Sequence, residues 1–254
     1  MRWLVASVLL AMSCDALLEP YRDQPDVYCV LRTDSTGTFA LVGRTCGFEE
    51  WPVEWTGVSD ATVEVWQGGD TLLFRPHPET AGVYLCDSLP VFAGQTYGLR
   101  VQSGLGTVRG TTTVPDSVQF ELVSADTVMS KTGEPNVLLG VEWKPCPGGY
   151  LYELVARFVY TGESGSEYSR YDWARLDSCH TTLIVPLRFV GYEVQSLTRV
   201  DFGVRAMDRN YRDYVLLRQE YGYRSTLMHL DGGPGLFGSM SVAETTASLA
   251  SPNW

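Results

Sequence analysis

His77, His180 and His229 are the three imidazoles this chain offers for acid–base or metal chemistry. His77 lies between two prolines in Arg75-Pro76-His77-Pro78-Glu79, which makes a loop. His180 follows Cys179; neighbours on a strand point to opposite faces, so these two cannot form a Cys-His dyad directly. No G-x-S-x-G elbow and no H-E-x-x-H pair occurs. The expectation is therefore a chain with no catalytic residue, no cofactor and no metal. Asp208-Arg209-Asn210-Tyr211-Arg212-Asp213 spaces its oxygens like a calcium loop but lacks the glycine and distal glutamate of an EF-hand. It is expected to be a turn with solvated charges. Gly232 to Gly238 lacks the Lys-Ser/Thr ending of a phosphate loop, so it reads as a tight connection into a last strand, Phe237 to Ala243.

The aromatic residues are the better candidates for binding. Trp51 and Trp55 share an acidic loop with Glu49, Glu50 and Glu54. Tyr168, Tyr171 and Trp173 lie in a second polar stretch, SEYSRYDW. Aromatics on loops bury flat apolar area against a glycan or peptide ligand. The competing expectation is that they fold back as lids on the ends of the fold, since tryptophan is mostly buried.

Cys14 is a thiol of a different kind. It follows Arg2, an apolar run from Trp3 to Met12 and the small residue Ser13, the layout of a secretory signal. The run is shorter than the roughly 20 apolar residues a bilayer span requires. Ala11-Met12-Ser13-Cys14 resembles a lipobox, whose cysteine takes a diacylglyceryl group and becomes the mature N-terminus. It departs from the usual pattern because Leu10 stands four residues before the cysteine, not three. More than one acyl chain is needed for stable anchoring, and a processed lipoprotein cysteine carries them. The lipid is thus expected to be the membrane anchor, with residues 1–13 as signal peptide and 14–25 as a lipidated tether.

Five further cysteines, Cys29, Cys46, Cys86, Cys146 and Cys179, would sit in a compartment that permits disulfides. Cys146 with Cys179 is one pairing. Cys29 with Cys86 is the preferred one in the first half, because both sit in strand-like runs; the connectivity stays open. None has the CxxC spacing of a zinc or redox site.

The formal net charge of −11 becomes −12 without Arg2 and carries no basic run, which argues against nucleic acid and against anchoring by anionic headgroups. Charged residues are only 19%, and aromatics 12%, which favours β structure and contact surfaces. Strand-like runs recur at close spacing: Val27 to Thr33, Phe39 to Arg44, the strictly alternating Ala61 to Val65, Thr71 to Arg75 after a Gly68-Gly69-Asp70 turn, Gly82 to Cys86, Tyr97 to Gln102 and Thr107 to Val114. Pro115-Asp116 breaks the pattern. Ser117 to Val123, Val137 to Lys144, Tyr150 to Tyr160, Thr181 to Arg188 and Arg199 to Met207 follow, and Tyr211 to Tyr221 reads as a strand or a short helix. The fold class is all-β, with two Ig-like or fibronectin-like β-sandwich modules over residues 26–115 and 116–243 and a flexible tail at 244–254.

Two resemblances attach to these runs. ATVEVW, GVYLCDSLPVFAGQTYGLRVQSG and the glycines between them, from Ala61 to Gly104, resemble the A-x-V-x-V … G-x-Y … L-x-x-G-x-x-Y-x-L-x-V pattern of transthyretin-like and carboxypeptidase-regulatory-like sandwiches. Leu139 to Trp143, Tyr150 to Leu154 and Val204 to Tyr211 resemble the strands of a fibronectin type III module. With the ending Gly232-Gly233-Pro234-Gly235-Leu236-Phe237-Gly238-Ser239, nearly the whole mature chain is similar to the domain-of-unknown-function family numbered 4249. That family comprises lipoproteins of Bacteroidota-like bacteria, often encoded beside TonB-dependent outer-membrane transporters. The resemblance implies an accessory role at the outer membrane, on its surface or periplasmic face, with the transporter protein as partner. A stand-alone glycan-binding or adhesive module is the rival expectation, and a secreted hydrolase the third.

Overall fold

The computed structural model describes residues 22–35, 37–45, 55–131, 133–162, 164–176, 179–186, 188–190, 194–221 and 229–248. Cys14, Cys46, Trp51 and the stretch Glu49 to Glu54 lie outside the described residues. The fold is β-sandwich throughout, with one helix among the described residues.

In the first half, strands β1 (Pro25–Arg32), β2 (Thr38–Arg44), β5 (Arg75–Pro76) and β6 (Val83–Cys86) form one layer, in the order β1-β2-β6-β5. The facing layer is built from β3 (Thr62–Gln67), β4 (Asp70–Leu73), β7 (Thr96–Ser103) and β8 (Gly106–Thr113), with β16 (Leu230–Asp231) on the edge of β8. Strict alternation drives this arrangement. Val27, Cys29 and Leu31 of β1 point into the core, as do Val63 and Val65 of β3, and Leu99 and Val101 of β7. Asp26, Tyr28, Val30 and Arg32 therefore share the opposite face of β1. Two tyrosines tie the loops to this core. Tyr84 Oη donates to Val58 O at 2.8 Å and accepts from Ala61 N at 2.9 Å. Tyr97 Oη donates to Pro90 O at 3.1 Å and accepts from Phe92 N at 2.9 Å.

In the second half, β9 (Gln119–Met129), β10 (Pro135–Lys144) and β13 (His180–Pro186) form a three-stranded sheet in the order β13-β10-β9. It covers a core of Leu139, Val141, Trp143, Leu154, Phe158 and Phe202. The other layer contains β11 (Leu151–Gly162), β12 (Glu167–Leu176), β14 (Arg188–Val190) and β15 (Val194–Met207).

The last strand, β17 (Gly235–Ser248), belongs to both halves. Its first part runs parallel to β1, from Val27↔Gly235 to Arg32↔Met240; its second runs antiparallel to β15, from Met207↔Met240 to Arg199↔Ser248. One nine-stranded sheet thus passes through both halves, in the order β12-β11-β15-β17-β1-β2-β6-β5 with β14 paired to β15. The closing strand is longer than the expected Phe237 to Ala243, and Glu244 to Ser248 is strand, not flexible tail. Its pairing with β15 satisfies those backbone groups, and Thr246 Oγ1 donates to Asp201 Oδ1 at 3.0 Å. The glycines of the connection allow the close approach. Gly232 and Gly235 have φ of +95° and +128°, and a Cβ on either would overlap the backbone oxygen of Thr107 or Val27.

At the other end of the expected tether, Asp23 pairs with Arg44 at 2.9 Å and Pro25 begins β1, so these residues already belong to the sandwich. The expected turn at Asp208 is instead the start of helix α1 (Arg209–Tyr221). Asp208 Oδ1 caps it by accepting from Tyr211 N at 2.9 Å. Asn210 Nδ2 donates to the carbonyls of Thr111 and Phe237, both at 2.8 Å, which seats the helix where β8 meets β17.

Candidate functional site

The stretch SEYSRYDW is not a loop. It is β12, the edge strand of the nine-stranded sheet, paired to β11 from Tyr152↔Leu176 to Thr161↔Glu167. Alternation then separates the three aromatic candidates. Tyr168 turns to the side of Tyr160, ring centroids 6.4 Å apart. Tyr171 and Trp173 share the other face and are 64% and 61% exposed.

That outer face carries an ordered set of charges. Glu153 on β11 is buried between Arg205 Nη1 at 2.8 Å and Arg175 Nε at 3.7 Å. Asp201 on β15 lies between Arg199 Nε at 3.1 Å and Arg157 Nη1 at 3.8 Å. Each carboxylate is therefore flanked by two guanidiniums, and Glu244 of β17 lines one cavity with Arg157, Arg199 and Arg205, so four arginines meet three carboxylates on this face. Each set also holds a ring: the Arg175 guanidinium carbon sits 5.3 Å from the Trp173 ring centroid, and that of Arg157 6.0 Å from the Tyr171 centroid. The two sets repeat because both Glu153 to Arg157 and Asp201 to Arg205 are steps of four residues. Even steps return to the same face, here at roughly 13 Å spacing. Residues 153, 157, 199, 201 and 205 were not among the sequence candidates; their shared odd parity within strand-like runs was the signal that would have found them.

The groove over this face continues toward the helix. A cavity of about 650 Å³ is lined by Val155, Arg157, Tyr171, Asp201 and Arg205. A second, of about 300 Å³, shares Val155 and Arg205 with it and adds Trp173 and Arg175. A third, of about 670 Å³, shares Arg175 and brings in Asp26, Tyr28, Trp55, Tyr214 and Arg218. Leu41 of β2 also lines this last cavity, although four strands separate β2 from β12 in the sheet order. A flat sheet would hold them roughly 24 Å apart, so the sheet curls around α1.

Trp55 is held in place by what lies beneath it. A Cβ on Gly43 would meet Trp55 Nε1 at 2.7 Å, and one on Gly82 would meet Trp55 Cη2 at 2.7 Å. The indole thus lies on two glycines, yet the residue remains 52% exposed. Tyr28 and Tyr214 meet edge to face at 5.9 Å in the same cavity. Burial raises the Asp26 carboxyl above the usual carboxylate range, and burial is also the main cause that pushes the Tyr28 phenol up.

The other polar candidates lie apart from the groove. His77 Nδ1 accepts from Glu79 N at 3.2 Å, His180 pairs with Glu142 across β13 and β10, and His229 Nε2 is 2.8 Å from Asp213 Oδ2. Among the described residues, no group of three or more His, Cys, Asp or Glu side chains is placed to hold a metal ion. Cys29, Cys86, Cys146 and Cys179 are free thiols. Cys29 on β1 and Cys86 on β6 have β2 between them. Strands two apart are separated by roughly 9.5 Å, beyond the roughly 7 Å Cα separation a disulfide spans, so the preferred first-half pairing is not made. Burial pushes the Cys29 thiol up to about 12. Cys146 and Cys179 pack in or against the second core, unbridged.

The chain matches no family model and no curated protein. Among solved structures it is similar to a cytokine receptor complex, at 16% identity over 90% of this chain and 98% of that one, with a TM-score of 0.26. A second crystal form of a cytokine receptor complex matches at 15% identity, covering 82% and 99% of the two chains, with a TM-score of 0.26. The FN1-FN3 domains of chicken CNTN1 match at 10% identity, covering 74% and 62%, with a TM-score of 0.34. These likenesses are remote, with every TM-score below 0.5.

Proposed function

We propose that this chain is a lipid-anchored, non-catalytic binding protein whose ligand lies along the groove over β12, β11 and β15 and under the edge of α1. The observation that carries this reading is that Trp55, Trp173 and Tyr171, from two distant segments, line three adjoining cavities, the first two sharing Arg175 and the last two Val155 and Arg205. Exposed rings fixed by glycines or guanidiniums lose little freedom when a ligand covers them, which favours binding. The cellular setting is read from the sequence: Cys14 as the acylated residue, the outer membrane as location, and the family numbered 4249 as kin. In that setting the chain serves as partner of a TonB-dependent outer-membrane transporter, facing the surface or the periplasm. Crosslinking followed by pull-down in the native membrane tests this: recovery of a large outer-membrane barrel is expected, and its absence removes the transporter role.

The groove itself favours a second reading, a glycan-binding module acting alone. Trp173 and Tyr171 each have a guanidinium near the ring while remaining more than half exposed. Sugar rings stack on such exposed aromatic faces. A glycan array with hits lost on Trp55→Ala supports it, and an array with no hits removes it.

A further inference from the structure

The cavity between β1 and α1 gathers one carboxylate, two guanidiniums and several aromatic rings. Its volume of about 670 Å³ falls within the roughly 300–1,000 Å³ of small-molecule sites. Asp26 and Tyr28 enter it from one face of β1, being two residues apart. Tyr211, Tyr214, Val215 and Arg218 stand three and four residues apart on α1 and so share one helix face. Gly43 is the cross-strand partner of Asp26, and the space its side chain would fill is taken by the Trp55 indole. The indole therefore lies beside the Asp26 side chain. Tyr28 meets Tyr214 edge to face, and its hydroxyl is hydrogen-bonded to that of Tyr211.

Asp26 is half-buried there, and among the described residues its carboxylate has no hydrogen bond or ion pair. Lost hydration raises it, and neither Arg175 nor Arg218 brings it down. The positive charges stand away from it on other elements. Arg218 on α1 acts on the Tyr28 phenol, and Arg175 on β12 is held against Glu153 and the Trp173 ring. A neutral ligand would cover the Asp26 carboxylate without replacing its water. A simple cation would also meet two guanidiniums, and a simple anion would meet the carboxylate. A molecule with separated charges of both signs suits all three groups. A primary ammonium requires acceptors for its three N–H groups, whereas a quaternary one is held by ring faces and a single carboxylate.

We propose that this cavity takes a small zwitterion of the phosphocholine type: its quaternary ammonium lies against Asp26 and the rings of Trp55, Tyr28 and Tyr214, and its anionic group is met by Arg218 and Arg175. This rests on reading the groove as a binding surface. It also gives the half-buried carboxylate of Asp26 a role, since that group is kept at a cost in hydration and has no partner within the described fold.

The test uses the full chain, purified in a non-ionic detergent and titrated calorimetrically with phosphocholine, choline, inorganic phosphate and phosphoethanolamine. The expected result is that phosphocholine binds at least tenfold more tightly than each of the other three. Asp26→Asn and Trp55→Ala should each lower that affinity at least tenfold, Arg218→Gln should lower it several-fold, and Trp55→Phe should retain most of it. Melting curves of the same variants separate lost binding from lost folding. Glycerophosphocholine distinguishes the sources. Binding as tight as that of phosphocholine assigns a headgroup carried on glycerol, and binding of phosphocholine alone assigns the free phosphomonoester; either supports the site. The inference is overturned by equal affinity for choline, phosphate or phosphoethanolamine, by unchanged affinity in Asp26→Asn or Trp55→Ala, or by no phosphocholine binding at all. If the last result accompanies glycan-array hits that are lost on Trp55→Ala, only the ligand class falls. If the array is also empty and no partner is crosslinked, the binding reading falls with it.

Discussion

Asp208 Oδ1 accepts from Tyr211 N at 2.9 Å, while its other oxygen accepts from the Thr112 hydroxyl. One carboxylate thereby caps α1 and joins it to β8, and Thr112 in turn meets the Ser239 hydroxyl at 2.7 Å on β17. Removing it with Asp208→Ala loses the cap and leaves buried hydroxyls without their partner, at a cost of about 2–3 kcal/mol. Denaturant unfolding measures this. Asp208→Asn keeps an acceptor for Tyr211 N and is expected to cost less.

Tyr84 carries two loop bonds on a single buried hydroxyl. Tyr84→Phe keeps the ring in the core and leaves Ala61 N–H and Val58 C=O unpaired. A loss of about 1–3 kcal/mol is expected, read as a lower denaturation midpoint with an unchanged slope. An unchanged midpoint would show that water replaces the hydroxyl at no cost.

Gly82 has a φ of +77°, and an added Cβ there would lie 2.5 Å from the Gly57 Cα and 2.7 Å from the Trp55 ring. Gly82→Ala is therefore strained by at least about 1 kcal/mol and also lifts the indole from its seat. Intrinsic fluorescence should shift with the displaced tryptophan. Ligand affinity at the helix-side cavity should fall more than it does in an equally destabilised core variant.

Asp26 is half-buried at the cavity wall, and its removal from water raises its carboxyl above the usual carboxylate range. A raised folded-state value means that folding favours the protonated form. Its contribution is fully present below the ordinary aspartate pKa of about 3.9 and is lost as pH rises through the raised folded value. Asp26→Asn should thus raise the melting temperature at pH 7 and lose that advantage toward pH 4. Melting scans across this range decide the matter; a variant less stable than the wild type at pH 7 reverses the sign.

Cys14→Ala is expected to abolish labelling by a fatty-acid analogue and to release the protein from the membrane fraction. Continued labelling would refute lipidation at this residue.

Much of this was legible in the linear chain. The period-2 alternation of Val27, Cys29 and Leu31, or of Val63 and Val65, fixes strands and their buried faces, because one face of a strand must be apolar to join a core. The same alternation determines that Trp173 and Tyr171 share a face that Tyr168 does not. The glycines at 232 and 235 announce a tight path before any partner is known. What the sequence could not decide is where strands lie relative to strands far along the chain. Pairing energies hardly depend on which distant segment supplies the partner, so nothing local says that β17 runs beside β1 and then β15 and joins the halves through one sheet. Helix α1 was equally ambiguous: its residues serve a strand or a helix, and the Asp208 cap gains its partners Thr112 and Ser239 only when β8 and β17 arrive. The groove is decided at that level too. Glu153, Arg175 and Arg205 come from three strands, and only the curl of the sheet around α1 places Arg175 and Trp55 in one cavity.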